Sequence, residues 1–517
     1  MTTDVKTTPA ALARAASVFG DKDAIADGDV RISYTGLLDR VRTAARALIA
    51  RGIEPGDRVA IWAPNTHHWV VAALGAQYAG AVIVPINTRY TGSEALDLVV
   101  RTKAKALVVV GAFLKSDRYA DLQRAASPGD LESLHTVIRI PFDGDAPTDG
   151  VIEWSELDAL AAGVPAEVAD ARAAAVSPDD VADILFTSGT TGKSKGVMTA
   201  HRQTIGVADA WAECAEITSA DRYLIINPFF HTFGYKAGFV VCVLNGATIV
   251  PMAVFDVPKV AAKIADERIS VLPGAPTIHQ SILDLPGRDD FDLSSLRVAV
   301  TGAAAVPVTL VERLQSELSY KAVLTAYGQT EAVVVTMCRT DDDPVTVSTT
   351  SGRAVPGMEV RIGDHGEILV RGDNVMLGYL DDPDATAKTI DADGWLHTGD
   401  VGVMDERGYI DITDRLKDMY ISGGFNVYPA EIENALARID SVAETAVIGI
   451  PDERMGEVGR AYLVAKPGRV VDADEVRAYC KENLANFKVP REIRIVDTLP
   501  RNPSGKVLKN ELREDKS

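Results

Sequence analysis

The chain has 517 residues, of which 47% are hydrophobic and 24% charged, the balance of an ordinary globular protein. Its length exceeds what one hydrophobic core normally supports, so we expect two or more domains. The formal net charge of −20 argues against binding of nucleic acid or of anionic membrane surfaces, because these ligands carry charge of the same sign.

Short apolar runs alternate with amphipathic, alanine-rich segments along most of the chain. The apolar periodicity predicts helices at 37–50, 257–265 and 308–318. The short apolar runs predict strands at 59–62, 106–110, 136–140, 184–186, 223–226 and 298–301. Strands that alternate with helices are typical of parallel sheets covered by helices, so we expect an α/β fold.

Residues 69–86 carry no charge over 18 positions, which approaches the length of a membrane span. The stretch also contains Gln77, Gly80 and Pro85, which do not suit such a span. We therefore expect a buried helix followed by a buried strand at 81–85, and no stable membrane insertion.

The cysteine pattern and the N-terminus bear on the compartment. No Cys-x-x-Cys pair is present, and the widely spaced cysteines fit free thiols of a reducing cytosol: Cys214, Cys242, Cys338 and Cys480. The N-terminus lacks the apolar core of a signal peptide. We expect a cytoplasmic protein, and the sequence leaves open whether it forms a homo-oligomer.

The character of the chain changes after residue 340. Residues 340–413 are rich in glycine and aspartate with short strand patterns, as at 366–372, which predicts a small β-barrel-like subdomain. A charged run at 414–418 then separates two apolar segments. From the residues alone this run is either a domain boundary or a solvated surface turn.

The most informative motif is Thr-Ser-Gly-Thr-Thr-Gly-Lys-Ser-Lys-Gly at 187–196, directly after the apolar run 184–186. Glycines let backbone N–H groups turn toward an anion, and the hydroxyl and ammonium groups add further donors. The composition predicts a phosphate-binding loop, although a solvated turn between two strands would share it. The P-loop of kinases and GTPases needs a glycine where this chain has Thr187, so that class is excluded.

Three further motifs follow in the chain: Tyr-Gly-Gln-Thr-Glu at 327–331, Trp-Leu-His-Thr-Gly-Asp at 395–400 and Pro-Ser-Gly-Lys at 503–506. With the first loop, they resemble in order and spacing the motif set of the acyl-adenylate-forming superfamily. That family contains acyl-CoA synthetases, luciferases and the adenylation domains of peptide synthetases. The resemblance covers nearly the whole chain.

The resemblance implies a particular domain organisation. Residues 1–413 would form a large AMP-binding domain of two parallel-type sheets with helices, including the β-rich part at 340–413. Residues 414–417, with Lys417, would be a hinge. Residues 418–517 would form a small, mobile α+β lid domain.

The resemblance also implies a two-step reaction. A carboxylate is a poor electrophile, and joining it to AMP with release of pyrophosphate supplies a good leaving group. The substrates would be ATP, a small-molecule carboxylic acid and coenzyme A, and magnesium (Mg²⁺) would be the cofactor. Thr187 and Glu331 would hold the Mg²⁺, since a hydroxyl and a carboxylate are suitably hard oxygen ligands. The remaining loop residues would hold the phosphates: Ser188, Gly189, Thr190, Thr191, Gly192, Lys193, Ser194 and Lys195.

Other motif residues would contact the nucleotide. Tyr327 would stack on adenine, and Asp400 would accept hydrogen bonds from both ribose hydroxyls. Arg415 would contact ribose or phosphate, and Lys506 would stabilise charge during adenylation. The other residues that the family places around the nucleotide are Gly302, Ala303, Ala304, Gly328 and Thr330.

Each of these residues also has a simpler interpretation. Tyr327 could be a core aromatic, Glu331 an acid at a helix N-terminus, and Lys506 a solvated lysine of the C-terminal tail. The common proline between the two loop lysines is Ser194 here, and Phe425 stands where relatives often have a polar residue.

The family places a histidine at the mouth of the acyl pocket, and His231 occupies that position. Residues Phe230, Phe233, Tyr235 and Lys236 would help to build the pocket, with Trp211 and 333–335 as weaker candidates. From the residues alone, His231 could equally be a hydrogen-bonded core residue and Lys236 a salt-bridge partner. In the thioester step, a lid loop would line the tunnel for the pantetheine arm of coenzyme A: Ser422, Gly423 and Gly424.

Three hypotheses compete, and a carboxylate:CoA ligase is favoured. An amino-acid or aryl-acid adenylation domain feeding a carrier protein lacks support, because no acid lies near 229–231 to bind an ammonium group. A binding protein with a dead site is disfavoured by the intact Glu331, Asp400 and Lys506.

The segments 226–238, 418–431 and 484–491 resemble ligases that activate a propanoate on a bicyclic steroid-derived indane-dione. A medium- or long-chain fatty acid is the alternative acyl substrate.

Overall fold

The computed structural model describes residues 5–114, 116–142, 150–187, 194–302, 306–415, 418–422, 425–452, 455–484, 488–501 and 506–514. The helices are α1 (Thr8–Phe19), α2 (Tyr34–Ala50), α3 (His67–Tyr78), α4 (Gly92–Thr102), α5 (Arg118–Ala125), α6 (Leu157–Ala161), α7 (Ala166–Ala175), α8 (His201–Cys214), α9 (Thr232–Gly234), α10 (Val241–Asn245), α11 (Val257–Glu267), α12 (Pro276–Leu283), α13 (Val308–Glu317), α14 (Pro344–Thr349), α15 (Pro383–Thr389), α16 (Pro429–Leu436), α17 (Ala473–Asn483) and α18 (Lys509–Glu514). A π-helix, Tyr235–Val240, joins α9 to α10.

The strands are β1 (Asp23–Asp27), β2 (Val30–Ser33), β3 (Arg58–Trp62), β4 (Val82–Pro85), β5 (Ala106–Val110), β6 (Ala112–Phe113), β7 (Ser116–Asp117), β8 (Thr136–Ile140), β9 (Ile152–Glu153), β10 (Val181–Phe186), β11 (Gly196–Ala200), β12 (Arg222–Ile225), β13 (Thr248–Pro251), β14 (Val271–Pro273), β15 (Val298–Gly302), β16 (Ala322–Gln329), β17 (Ala332–Met337), β18 (Arg353–Ala354), β19 (Met358–Ile362), β20 (Glu367–Gly372), β21 (Gly378–Tyr379), β22 (Leu396–Met404), β23 (Ile410–Arg415), β24 (Tyr420–Ser422), β25 (Phe425–Val427), β26 (Val442–Asp452), β27 (Gly456–Ala465) and β28 (Glu492–Ile495). Every strand and helix predicted from the pattern is present, and the bounds differ from the predicted ones by a few residues at most.

The described residues divide into two compact units. The larger unit contains the residues up to 187 together with 195–359 and 370–396. The smaller unit contains 360–369 and the residues from 397 onward. The hinge that we predict at 414–417 includes Lys417, which lies outside the described residues.

Two large sheets form the centre of the larger unit. The nine-stranded sheet has the order β18-β17-β16-β15-β14-β12-β13-β1-β2, and the eight-stranded sheet has the order β21-β11-β10-β4-β3-β5-β8-β9. The inner strands pair in parallel, as predicted, whereas β2, β11 and β17 pair antiparallel with their neighbours. Antiparallel pairs arise where the chain returns directly to the neighbouring strand, as it does through short hairpins after β1 and β16, rather than through a helix.

Helix α3 and strand β4 place the uncharged stretch 69–86 in the protein core. The helix residues from Trp69 to Tyr78 are all buried, and β4 after the helix is buried at every position. A helix that is apolar on all sides belongs in the core of a large protein, which confirms the predicted buried helix and strand. No helix in the described part of the chain is long and apolar enough to cross a membrane.

The β-rich region after residue 340 is shared among three sheets. Strand β18 joins the nine-stranded sheet and β21 joins the eight-stranded sheet. Strands β19, β20, β22 and β23 form a separate four-stranded sheet in that order. The small β subdomain is therefore narrower than the predicted 340–413, because two of its short strands find partners at the edges of the large sheets.

The smaller unit is α+β, as predicted. The long hairpin of β26 and β27 runs in register from Val442 opposite Ala465 to Asp452 opposite Gly456. Strands β24 and β25 continue the sheet beside β27, and β28 pairs parallel with β27. Helices α16 and α17 cover one face, where Tyr420 joins the buried core.

Candidate active site

The predicted phosphate loop connects two neighbouring antiparallel strands. Strand β10 ends at Phe186, opposite Gly196 at the start of β11. The N–H of Thr187 donates to the carbonyl of Lys195 at 3.0 Å, and the N–H of Lys195 approaches Thr187 Oγ1 at 3.4 Å. These contacts close the base of the loop. The loop residues 188–193 lie outside the described residues.

A second hairpin carries the predicted metal ligand. Strands β16 and β17 pair with Gln329 opposite Ala332, so Thr330 and Glu331 form the turn between them. Glu331 therefore lies at a hairpin turn and not at the start of a helix. Its side chain is partly exposed, as that of a ligand-binding carboxylate has to be.

The predicted adenine-binding residues lie on neighbouring strands. In the parallel pair of β15 and β16, Gly302 is opposite Ala326, the residue before Tyr327. A Cβ atom at Gly302 would lie 2.7 Å from the carbonyl oxygen of Ala326, so only glycine fits there. Tyr327 is half-buried and Gly328 exposed, which argues against a core aromatic. Ala303 and Ala304 lie outside the described residues.

Tyr379 was not anticipated and joins the two hairpins. Its hydroxyl donates to Glu331 Oε1 at 2.8 Å, and Lys195 Nζ lies 4.6 Å from the centre of its ring. Burial and the neighbouring Glu331 charge raise the pKa of Tyr379, so the hydroxyl stays a donor. No local sequence pattern marks Tyr379, because its partners lie in distant segments; the preceding Gly378 has a positive φ of 148° and no room for a side chain beside Thr386.

The predicted acyl-pocket segment begins with a tight turn. A Cβ atom at Gly234 would lie 2.3 Å from the carbonyl oxygens of Asn227 and Pro228. Asn65 fixes this turn, because its side chain donates to the Asn227 carbonyl at 2.9 Å and accepts from the Phe229 N–H at 2.8 Å. Sequence inspection missed Asn65, since nothing near it in the chain marks the contact.

The residues of this segment differ in accessibility. His231 is exposed, and its Nδ1 accepts from the Phe233 N–H at 3.2 Å, which caps α9. Phe230 and Phe233 are partly buried, and the Phe233 ring packs edge-on against Trp211 at 5.5 Å. Tyr235 is fully buried. The structure therefore leaves His231 and the two phenylalanines accessible to a ligand.

Lys236 belongs to a buried polar network. Its Nζ lies 3.0 Å from Asp183 Oδ1, and neither side chain is exposed. Thr204 donates to Asp183 Oδ2 at 3.1 Å, and Gln77 donates to the Tyr235 hydroxyl at 2.8 Å. Burial lowers the pKa of Lys236, while Asp183 opposes that shift. The structure thus shows Lys236 as a salt-bridge partner.

The smaller unit holds the other predicted residues. Asp400 on β22 is buried, and its backbone pairs in register with that of Arg415 on β23. Ser422 ends β24 and is buried, whereas Gly423 and Gly424 lie outside the described residues. Lys506 is exposed and precedes Val507, which forms a bridge with Arg501.

Comparison with known proteins shows the family of the chain. Residues 12–380 match the AMP-binding enzyme family model, and residues 431–506 match that of the AMP-binding enzyme C-terminal domain. The chain therefore belongs to the AMP-binding enzyme family, which confirms the resemblance found in the sequence. The solved structure of ATP-bound MatB from Rhodopseudomonas palustris is similar to it, with a TM-score of 0.85, 31% identity and 98% of each chain covered.

Two curated relatives match over the full length. A "3-[(3aS,4S,7aS)-7a-methyl-1,5-dioxo-octahydro-1H-inden-4-yl]propanoyl:CoA ligase" of Rhodococcus jostii (strain RHA1) is 73% identical, with 100% of both chains covered. A protein of the same name from Mycobacterium tuberculosis (strain ATCC 25618 / H37Rv) is 59% identical, covering 99% of this chain and 100% of the relative. Both relatives are CoA ligases by name, in agreement with the predicted class of enzyme.

Proposed function

We propose that the chain joins the carboxylate of the methyl-dioxo-octahydroindenyl propanoate to coenzyme A, through an acyl-adenylate, as a step of steroid catabolism. The observation that carries this proposal is full-length identity of 73% and 59% to two ligases named for that acid. Identity at this level favours the cyclic propanoate over a medium- or long-chain fatty acid. The proposed products are pyrophosphate in the first step and AMP with the acyl thioester in the second.

The larger unit supplies the proposed adenylation residues. The closed base of the loop at Thr187 and Lys195 supports a phosphate site directly after β10. Tyr327 and Gly302, on neighbouring strand ends, support an adenine site. His231 and the half-buried Phe230 and Phe233 support an acyl site at the segment that Asn65 holds.

The donor set fits Mg²⁺. Thr187 Oγ1 and Glu331 are hard oxygen ligands of the kind that this ion prefers. Among the described residues, the side chain of Glu331 accepts a hydrogen bond from Tyr379 through Oε1, which leaves Oε2 to a ligand. When bound, the ion would neutralise phosphate charge as the acid attacks.

Residues of the smaller unit divide between the two steps. We assign Asp400 and Arg415, which lie opposite each other, to the ribose side of the nucleotide. Lys506 is assigned to adenylation, because a compact positive charge stabilises charge that develops on phosphate and carboxylate oxygens. Ser422 with Gly423 and Gly424 is assigned to the pantetheine tunnel of the thioester step.

The proposal is tested with purified protein, ATP, magnesium and coenzyme A against four acids: the indane-dione propanoate, octanoate, palmitate and a cinnamate. Pyrophosphate release and thioester formation are measured for each. We expect kcat/KM for the bicyclic acid to exceed that for the straight-chain acids by about 10³-fold, because several methylene-sized contacts of 1–3 kcal/mol are lost with a thin chain. A Glu331→Gln preparation controls for contaminating ligases. Higher kcat/KM for octanoate or palmitate would overturn the substrate while keeping the class of enzyme.

A further inference from the structure

We propose that Tyr379 is a positioning residue, which holds the Glu331 carboxylate and the Lys195 ammonium apart and correctly placed for magnesium and phosphate. The inference rests on the proposed function of the same site. It assigns a role to a residue outside the four motifs that identify the family in the sequence.

The backbone of Tyr379 is fixed to the strand that leaves the phosphate loop. Strand β21 pairs antiparallel with β11, with Tyr379 opposite Val197. On either side, the Leu377 N–H donates to the Met198 carbonyl at 2.9 Å and the Leu380 N–H donates to the Gly196 carbonyl at 2.7 Å. The Tyr379 side chain therefore has a defined origin close to Lys195.

The same segment is fixed to the turn that carries Glu331. The Met376 N–H donates to the Glu331 carbonyl at 2.8 Å, and Val375 forms a bridge with Ala332. Residues 375–380 thus connect the Glu331 turn with the base of the phosphate loop. Tyr379 spans the same two parts with its side chain.

The tyrosine side chain offers a different surface to each charge. Its hydroxyl donates to Glu331 Oε1 at 2.8 Å, and its ring face lies 4.6 Å from Lys195 Nζ. In the described part of the chain, no ion pair links Lys195 and Glu331 directly. A direct pair would consume the charges that a divalent cation and a phosphate need.

The two contacts leave both groups able to bind ligands. A neutral hydroxyl donor orients a carboxylate and does not cancel its charge, so Glu331 Oε2 can bind a cation. A cation–π contact leaves the ammonium N–H groups that point away from the ring available, so Lys195 can still donate to phosphate oxygens. Tyr379 is 6% exposed, which protects both contacts from competition by water.

Two substitutions separate the contacts. Tyr379→Phe removes the hydroxyl and keeps the ring, whereas Tyr379→Leu removes both. Tyr78→Phe is the matched control, because the Tyr78 hydroxyl donates to Asp170 Oδ1 at 2.7 Å in a hydrogen bond of the same kind away from the site. Tm is measured for all variants, so that loss of stability is separated from loss of positioning.

The first readout is calorimetric binding of ATP, with magnesium and with EDTA, in the absence of acid and coenzyme A. We expect Tyr379→Phe to weaken the magnesium-dependent component of ATP affinity roughly 10- to 100-fold, the usual effect of losing a residue that orients a metal ligand. Binding of ATP in EDTA should change less than about twofold, since the ring still faces Lys195. Tyr379→Leu should weaken binding under both conditions, and Tyr78→Phe under neither.

The second readout is the magnesium concentration that gives half-maximal pyrophosphate release. In a Glu331→Gln background, where magnesium-dependent ATP binding is measured instead, Tyr379→Phe should weaken binding no further, because the charge that the hydroxyl orients is gone. Equal weakening of ATP binding with and without magnesium in Tyr379→Phe would overturn the inference, as would an unchanged magnesium dependence. ATP binding needs no acid. Failure to activate the steroid-derived acid would therefore reject the proposed substrate and leave the ATP-binding test of Tyr379 intact. If Tyr379→Phe fails to fold, the test uses Tyr379→Leu alone. Magnesium-dependent ATP binding by Tyr379→Leu that equals that of the wild type would overturn the inference.

Discussion

Lys236 Nζ lies 3.0 Å from Asp183 Oδ1, and both side chains are completely buried. Asp183 belongs to β10, the strand that leads into the phosphate loop, and Lys236 follows the segment that carries His231. The ion pair therefore connects the two segments in which we predict phosphate and acyl binding. Removal of one partner would leave an uncompensated charge in the core.

We predict that Lys236→Met lowers the free energy of unfolding by about 3–5 kcal/mol, because Asp183 is left buried and unpaired. The double variant Lys236→Met with Asp183→Asn should recover part of that loss, since no buried charge remains. Urea unfolding followed by circular dichroism measures both. Arg202→Met, which breaks an exposed pair with Asp179, is the control and should have little effect. A Lys236→Met variant as stable as the wild type would contradict the prediction.

The elements that the sequence predicted in the larger unit are present because these strands and helices are encoded locally. The helix at 37–50 appears as α2, where Ser33 accepts from the Gly36 N–H and so marks its start. Strands at 106–110 and 136–140 appear at those positions. Antiparallel edges and the spread of the β-rich region over three sheets escaped prediction, because short strands such as β21 are specified by a distant partner.

The candidate site shows the same division. Motif residues such as Glu331 could be named from the family resemblance, whereas Tyr379 contacts Glu331 across 48 residues of sequence. The Gln77 contact to Tyr235 spans 158 residues. For Lys236 the sequence left a pocket residue and a salt-bridge partner equally open, because Asp183 lies in another segment.

Lys506→Ala should reduce adenylation by about 10²–10³-fold, the usual loss when one preorganised donor to a transition state is removed. Thioester formation from preformed acyl-adenylate and coenzyme A should fall far less, because Lys506 is assigned to the first step alone. Both half-reactions are followed by single-turnover chromatography. Lys509→Ala, which removes an ion pair with Glu433 nearby, is the control. Equal losses in both half-reactions would show that the roles are not divided.

Lys417→Pro should spare adenylate formation and block thioester formation. Two lid positions require a large dihedral change at a few residues, and proline fixes φ near roughly −65°. Burst release of pyrophosphate reports the first step, and acyl-CoA production reports the second. Lys417→Ala keeps the backbone free and should retain both steps. Normal acyl-CoA turnover by the proline variant would place the hinge elsewhere.

Stability should fall as the pH drops below about 6.5, because two buried histidines are neutral in the folded protein. Burial lowers the pKa of His201 and of His279 to about 4, from an ordinary value of 6.5. An unfolded chain binds protons at these groups in a range where the folded chain does not, so protonation favours unfolding. Stability is therefore lost as the pH falls. The loss begins near the pKa of the unfolded chain and is complete below the pKa of the folded protein. Each group can cost about 3 kcal/mol across that range.

His279 gives this prediction a direct test. Among the described residues neither of its ring nitrogens has a hydrogen-bond partner, and its ring packs edge-on to Tyr320 at 6.0 Å. His279→Phe keeps an aromatic ring and removes the titrating group, so it should flatten the decline of Tm between pH 6.5 and 4.5. His135→Phe, at a residue outside the core, should leave the decline as in wild type. If His279→Phe and wild type lose Tm in parallel over this range, protonation of His279 does not drive acid unfolding.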